Sequence, residues 1–206
     1  MLQSFDVIGA PEQGPPRLSA LRDVMAQEGI KGFLVPRADV HQGEYVAPAD
    51  ERLAWLTGFT GSAGFAAILG ARAGVFVDGR YRLQARNQVD DTAFAIVPWP
   101  DTKLADWLKA ELPEGGTGGC DPWLHTVGEI ETLRKALTGT PIDLADCPNL
   151  INRVWPDRPA PPAGDVTPYP EALAGRSSAE KRALVAEALR EAGDESAVLT
   201  LPDSIA

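Results

Sequence analysis

The chain has 206 residues, 44% hydrophobic and 23% charged, with a net charge of −10 and a pI near 4.7. That length holds one domain and part of another, and the composition is that of an ordinary globular protein. The acidic balance excludes a general phosphate-backbone binder, which needs a basic face, and no apolar run approaches the ~18 residues of a membrane span.

Residues 1–15 read as a loose lead-in, because Gly9, Pro11, Gly14 and Pro15 interrupt any regular pattern. Leu18, Leu21 and Met25 recur at helical spacing, which predicts a helix over 16–28 with Gly29 just past its end. Ile30 and the run 33–35 predict a strand that Pro36 closes. The polar stretch over 37–55 reads as a loop. It carries His41 and Glu44, but a first-row metal site needs three or four donors, so a hydrogen-bonded loop is expected and no metal is placed in this chain.

Gly58, Gly61 and Gly64 match neither G-x-G-x-x-G nor a P-loop, so they read as a structural turn with close backbone packing. The large aromatics around it, Trp55, Phe59 and Tyr81, read as core or subunit-contact residues. Two strands follow, over 65–69 and 75–77, joined through Gly70 and Gly74. Asp78-Gly79-Arg80-Tyr81 then leads into a helix that Asp78 is placed to cap. In that reading Arg80 and Arg82 fall in the first helical turn, where the macrodipole disfavours cations by about 0.3–1 kcal/mol each. Such a local misfit has two readings: the arginines point into water or pair with a carboxylate, or they mark a functional site.

A strand is predicted over 93–97, then a helix capped by Asp101 with Leu104, Trp107 and Leu108 on one face. Residues 113–119, with four glycines, read as a turn before a short strand ending at 120–122. Thr126 and Glu129 make a capping box for a helix that buries Ile130, Leu133 and Leu137. A last strand over 141–144 and an anchoring segment over 150–155 complete a domain spanning 16–155. The alternation predicts an α/β fold, a mixed sheet covered by helices on both faces.

Six prolines over 156–170 predict a stiff linker. In residues 171–206, Ser177 and Glu180 form a second capping box, followed by a helix ending at Gly193 and a strand over 197–201. This helix, glycine and strand repeat the order seen at 16–35. A helix and one strand cannot bury a core, so the segment is expected to pack on the first domain or to begin a second domain of a longer protein.

The chain has no G-x-S-x-G, no H-E-x-x-H and no cysteine–histidine pair, so no self-sufficient catalytic site is expected in it. Cys120 and Cys147 lack metal or redox spacing. With no secretory pattern at the N-terminus, free thiols in a reducing compartment imply a cytoplasmic protein.

The motif 54–69, AWLTGFTGSAGFAAIL, followed by 75–88, VFVDGRYRLQARNQ, resembles the N-terminal domain of Xaa-Pro aminopeptidase (aminopeptidase P), in the creatinase/prolidase superfamily, and more closely its long three-domain form. The stretches over 37–59 and 149–159 extend the resemblance. It implies that 171–206 is the truncated start of a second similar domain. It implies further that this chain is the non-catalytic N-terminal portion of an enzyme that removes the first residue from peptides with proline second. In that family the chemistry sits in a C-terminal domain holding two divalent metal ions, usually manganese, which activate a bridging water. The resemblance also implies a homodimer, and it assigns Arg80 of the Asp-Gly-Arg-Tyr motif a substrate-binding role. Two alternatives stay open: a stand-alone binding or dimerisation module, and the N-terminal domain of a creatinase- or prolidase-like hydrolase.

Overall fold

Apolar residues alternate between two faces along the central strands, and each face has its own helices. Phe33 and Val35, Ala66 and Ile68, and Val75 and Val77 share one buried cluster, while Leu34, Ala67, Leu69 and Phe76 share another. The computed structural model describes residues 9–205. Its six strands are β1 (Gly32–Pro36), β2 (Phe65–Leu69), β3 (Ala73–Val77), β4 (Ala95–Pro98), β5 (Gly116–Cys120) and β6 (Ile142–Asp146). They form one sheet in the order β4-β3-β2-β1-β5-β6. β2 runs antiparallel to β1 and β3, and all other pairs are parallel. The sheet is mixed, as expected.

One face is covered by α1 (Gly14–Gln27), α2 (Arg52–Thr57), α3 (Arg82–Gln88) and α6 (Ile151–Val154), which bury Leu18, Leu21, Leu56, Ala85 and Ile151 on it. The other carries α4 (Leu104–Glu111) and α5 (Val127–Leu137), which bury Trp107, Leu108, Ile130 and Leu137. Thr126 and Glu129 form the expected capping box at the start of α5.

Several local readings are corrected. Of the lead-in expected over 1–15, residues 1–8 lie outside the described residues, Pro11–Gln13 form a 3-10 turn, and Gly14 already opens α1. Pro15 and Pro16 are tolerated because N–H groups in a first helical turn have no intrahelical partner. The glycines at 116, 118 and 119 lie in β5, not in a turn. There the strand is paired on both sides, with Gly32 opposite Gly118 and Ile142 opposite Gly116. Close approach explains the composition: a Cβ at Gly119 would lie 2.7 Å from the Cys147 sulfur. Asp101 does not cap α4, whose N-cap is Lys103 with no side-chain hydrogen bond.

The molecule divides into two units, Met1–Pro161 and Pro162–Ala206. Arg158 belongs to the first, donating to the Ala49 carbonyl at 2.7 Å and pairing with Asp50 at 3.2 Å. Residues 159–170 form no helix or strand. In the second unit, α7 (Glu171–Ala174), α8 (Ser178–Ala192) and α9 (Pro202–Ile205) bury no residue among those described. The Ser177–Glu180 capping box is formed and Gly193 ends α8 with a φ of 77°. The strand expected over 197–201 is absent, because no neighbouring strand supplies its hydrogen bonds.

Candidate functional site

Five of the six strands are parallel to one another, so their carboxyl ends share one edge of the sheet. Arg37 follows β1, Asp78 follows β3, Trp99 follows β4, Asp121 follows β5 and Cys147 follows β6. In open α/β sheets this is the edge at which ligands bind. The turn over 58–64 enters the same edge ahead of the antiparallel β2.

That turn is built by close packing. Gly58 has a φ of 82°, and a Cβ there would lie 2.4 Å from the Gln88 carbonyl oxygen. A Cβ at Gly61 would lie 2.2 Å from the Phe59 ring and 2.8 Å from Tyr81. Gln88 on α3 locks the turn, donating to Thr60 Oγ1 at 2.8 Å and accepting the Thr60 N–H at 3.0 Å. Phe59 is buried and meets Tyr81 edge-on, with ring centroids 5.7 Å apart. The Tyr81 hydroxyl lies 2.6 Å from Ser62 Oγ. Phe59 is thus core as expected, and Tyr81 bridges core and rim.

Arg37 joins the turn to the preceding loop. Its Nη1 donates to the Ser62 carbonyl at 3.1 Å and to the Glu44 carbonyl at 3.2 Å, and its Nη2 meets Glu51 at 3.4 Å. Burial pushes the Glu51 carboxyl above its ordinary value, partly offset by Arg37. Asp39 organises the loop itself by accepting the N–H groups of His41 at 2.9 Å and Gly43 at 3.1 Å. His41 and Glu44 are exposed, and no group of three or more His, Cys, Asp or Glu among the described residues is placed to hold a metal ion.

The Asp78-Gly79-Arg80-Tyr81 segment differs from its sequence reading. α3 starts at Arg82 with Tyr81 as its N-cap and no side-chain cap. Asp78 instead closes an Asx turn, accepting the Arg80 N–H at 2.9 Å, while the Asp78 carbonyl accepts the Tyr81 N–H at 3.1 Å. The same carboxylate takes the Arg80 side chain, with Nε 3.2 Å from both oxygens and Nη2 2.7 Å from Oδ2. Arg80 therefore precedes the helix, and the supposed clash of its charge with the helix dipole does not arise. Arg82 does open the helix, and it pairs with Asp101 at 2.6 Å. Pairing with a carboxylate is the reading the geometry supports for both arginines.

Within that pair, the hydrogen bonds from Arg80 hold the Asp78 carboxyl below its ordinary value, and the bonds to Asp78 raise the guanidinium further. Two thirds of the Arg80 side chain is solvent-exposed, at 67%, and its Cζ lies 5.1 Å from the Tyr81 ring centroid. Nη1 makes no hydrogen bond to any described residue. The site thus presents a fixed, outward-facing guanidinium edge.

A groove of about 680 Å³ opens on the α4–α5 face, walled by Leu34, Pro36, Phe65, Trp99, Leu104 and Leu133. Sequence reasoning did not find it, since it arises from the spacing of two helices over the sheet. His125 lines it; its Nε2 is buried without a partner among the described residues, and burial lowers its pKa. Neither cysteine is a nucleophile here: both are free, and burial pushes Cys120 up to about 11 and Cys147 upward too.

Two family models match, both described as the creatinase/prolidase N-terminal domain, over residues 17–154 and 157–206. Human Xaa-Pro aminopeptidase 2 is 37% identical over 80% of this chain and 25% of its own length. A probable Xaa-Pro aminopeptidase P from Coccidioides posadasii is 35% identical over 98% of this chain and 32% of its own length. The chain therefore spans about a quarter to a third of these curated relatives. Among solved structures, the X-prolyl aminopeptidase of Caenorhabditis elegans, described as a cytosolic enzyme with a di-nuclear active site, superposes with a TM-score of 0.81 at 30% identity. That match covers 92% of this chain and 33% of the nematode enzyme. The N-terminal domain of a cytoplasmic peptidase from Mycobacterium tuberculosis shares the fold, with a TM-score of 0.52 at 24% identity over 68% of this chain.

Proposed function

The chain belongs to the creatinase/prolidase N-terminal domain family, and from that premise we propose that it is the non-catalytic N-terminal portion of a metal-dependent Xaa-Pro aminopeptidase. The parent removes the first residue of peptides with proline second. The observation that carries this reading is the superposition on the nematode X-prolyl aminopeptidase, which takes in 92% of this chain but only 33% of that enzyme. The match runs through both units, which favours an aminopeptidase with a repeated N-terminal domain. On this reading the first domain runs from α1 through Arg158, 159–170 is a linker and 171–206 is the start of a second similar domain.

The metal chemistry lies outside these residues. Among the described residues no group of three or more His, Cys, Asp or Glu is placed to hold an ion. In the parent, two divalent ions, manganese on the family resemblance, supply the Lewis acid and the activated water. This portion contributes a surface for homodimerisation and a peptide contact at Arg80. The partners are thus a peptide substrate and a second copy of the parent, with neither nucleic acid nor membrane. A cytoplasmic location accords with the nematode enzyme being described as cytosolic.

The test compares two proteins with manganese added, using a tetrapeptide with proline second. The full-length protein carrying this chain should release the first residue, and the 206-residue chain alone should not. Hydrolysis by the isolated chain, or none by the full-length protein, would overturn the proposal.

A further inference from the structure

Arg80 presents a guanidinium with one side already occupied. Asp78 takes Nε and one N–H of Nη2, leaving both N–H groups of Nη1 and the second of Nη2 directed elsewhere. Asp78 also accepts the Arg80 backbone N–H, so the same carboxylate fixes both ends of the residue. The Tyr81 ring, tied to Ser62 through its hydroxyl, limits the remaining freedom of the guanidinium.

The charge around this edge is the deciding quantity. Arg80 and Arg82 are two cations. Asp78 and Asp101 pair with them, at 2.7 and 2.6 Å. Two anions against two cations leave no net positive charge on the two pairs. A carboxylate arriving at the free edge meets the repulsion of Asp78 as well as the attraction of Arg80. A neutral carbonyl oxygen meets charged N–H donors with no such penalty.

Resting on the reading of Arg80 as a peptide contact, we infer that its free edge takes a backbone carbonyl of the bound peptide and not a carboxylate, with Asp78 as the positioning residue that enforces the choice. Asp78 acts through Arg80: it fixes the direction of the free N–H groups and cancels the charge that would otherwise draw in a peptide's C-terminus.

The experiment uses the full-length protein and tri- and tetrapeptides with proline second, each as free acid and as C-terminal amide. Arg80→Ala should lower kcat/KM by about tenfold or more on the amides as well as on the acids, because the carbonyl contact is common to both. Asp78→Asn keeps an acceptor for the Arg80 backbone but removes the negative charge. It should raise the acid-to-amide ratio of kcat/KM by about fivefold, a change that mere loss of structure would not produce. A loss confined to the free acids in Arg80→Ala would show that the edge holds a carboxylate and would overturn the inference. An unchanged ratio in Asp78→Asn would remove Asp78 from the account. No effect of Arg80→Ala on either form would sink the underlying peptide-contact reading.

Discussion

Trp55 and Trp155 stack face to face, with ring centroids 5.2 Å apart and planes 16° from parallel. One follows the first strand and the other closes the first unit, so the stack staples the end of the domain to the helix that precedes the glycine turn. Arg17 adds its guanidinium 4.7 Å from the Trp55 ring centroid, and Arg52 donates to Asn152 at 3.0 Å beside the stack. Trp155→Ala should lower the unfolding free energy of the first unit by about 3 kcal/mol, the low end for a buried aromatic. Urea denaturation with tryptophan fluorescence checks this; a change under about 0.5 kcal/mol, the size of a surface effect, would contradict the stapling role.

The glycine turn should resist the smallest enlargement. In Gly61→Ala the added methyl would stand 2.2 Å from the Phe59 ring, which is buried and cannot move freely. Overpacking of this kind costs about 1–3 kcal/mol. Gly70→Ala is the control, because a Cβ there meets nothing within 4 Å. Thermal unfolding of the two variants should separate them clearly, with Gly70→Ala close to the parent sequence.

His125 gives the first unit a pH dependence of definite sign. Burial lowers its folded-state pKa, so the unfolded chain binds the proton more readily. The stability tied to neutral His125 is complete above the ordinary histidine value of about 6.5 and is lost as pH falls toward the lowered folded value. Glu51 works the other way: its folded-state pKa is raised, so protonation favours the folded state as pH falls. Comparing melting temperatures at pH 7.5 and 5.5, His125→Gln should lose less stability on acidification than the parent sequence. An equal loss would show that His125 does not titrate on unfolding.

Residues 159–170 carry no helix or strand, and the two flanking units are each continuous in sequence. Limited proteolysis should cut within this segment first and leave a fragment ending near Pro161 that resists further digestion. That fragment keeps Trp155 and the Arg158 contacts to Ala49 and Asp50. Mass spectrometry of the first stable product checks the position; a first cut inside the six-stranded sheet would contradict it.

Rules that act over a few residues carried the sequence reading furthest. Thr126 with Glu129 and Ser177 with Glu180 are capping boxes because donor and acceptor sit three residues apart, and both form. The strands over 65–69 and 75–77 were legible as short apolar runs set off by glycines, and both form, with Gly74 inside β3 instead of the connecting loop. What depended on distant partners was not. β5 looked like a turn because its glycines have poor strand propensity, yet neighbours on both sides supply the pairing. Residues 197–201 looked like a strand and have no neighbour to pair with. Asp78 looked like a cap because nothing local shows that the Arg80 side chain competes for its carboxylate. The position of Arg80 was legible from its motif; its neutralised inner side and open outer edge needed coordinates.

The most direct test of the central claim is a kinetic comparison of the full-length protein with its Arg80→Ala variant, on a tetrapeptide with proline second and manganese present. If this chain supplies a peptide contact to a metal site carried elsewhere, KM should rise by about tenfold with kcat nearly unchanged, the signature of lost ground-state binding. If KM and kcat both match the unaltered protein, Arg80 is only the partner of Asp78, and this portion of the chain contributes no substrate contact through it.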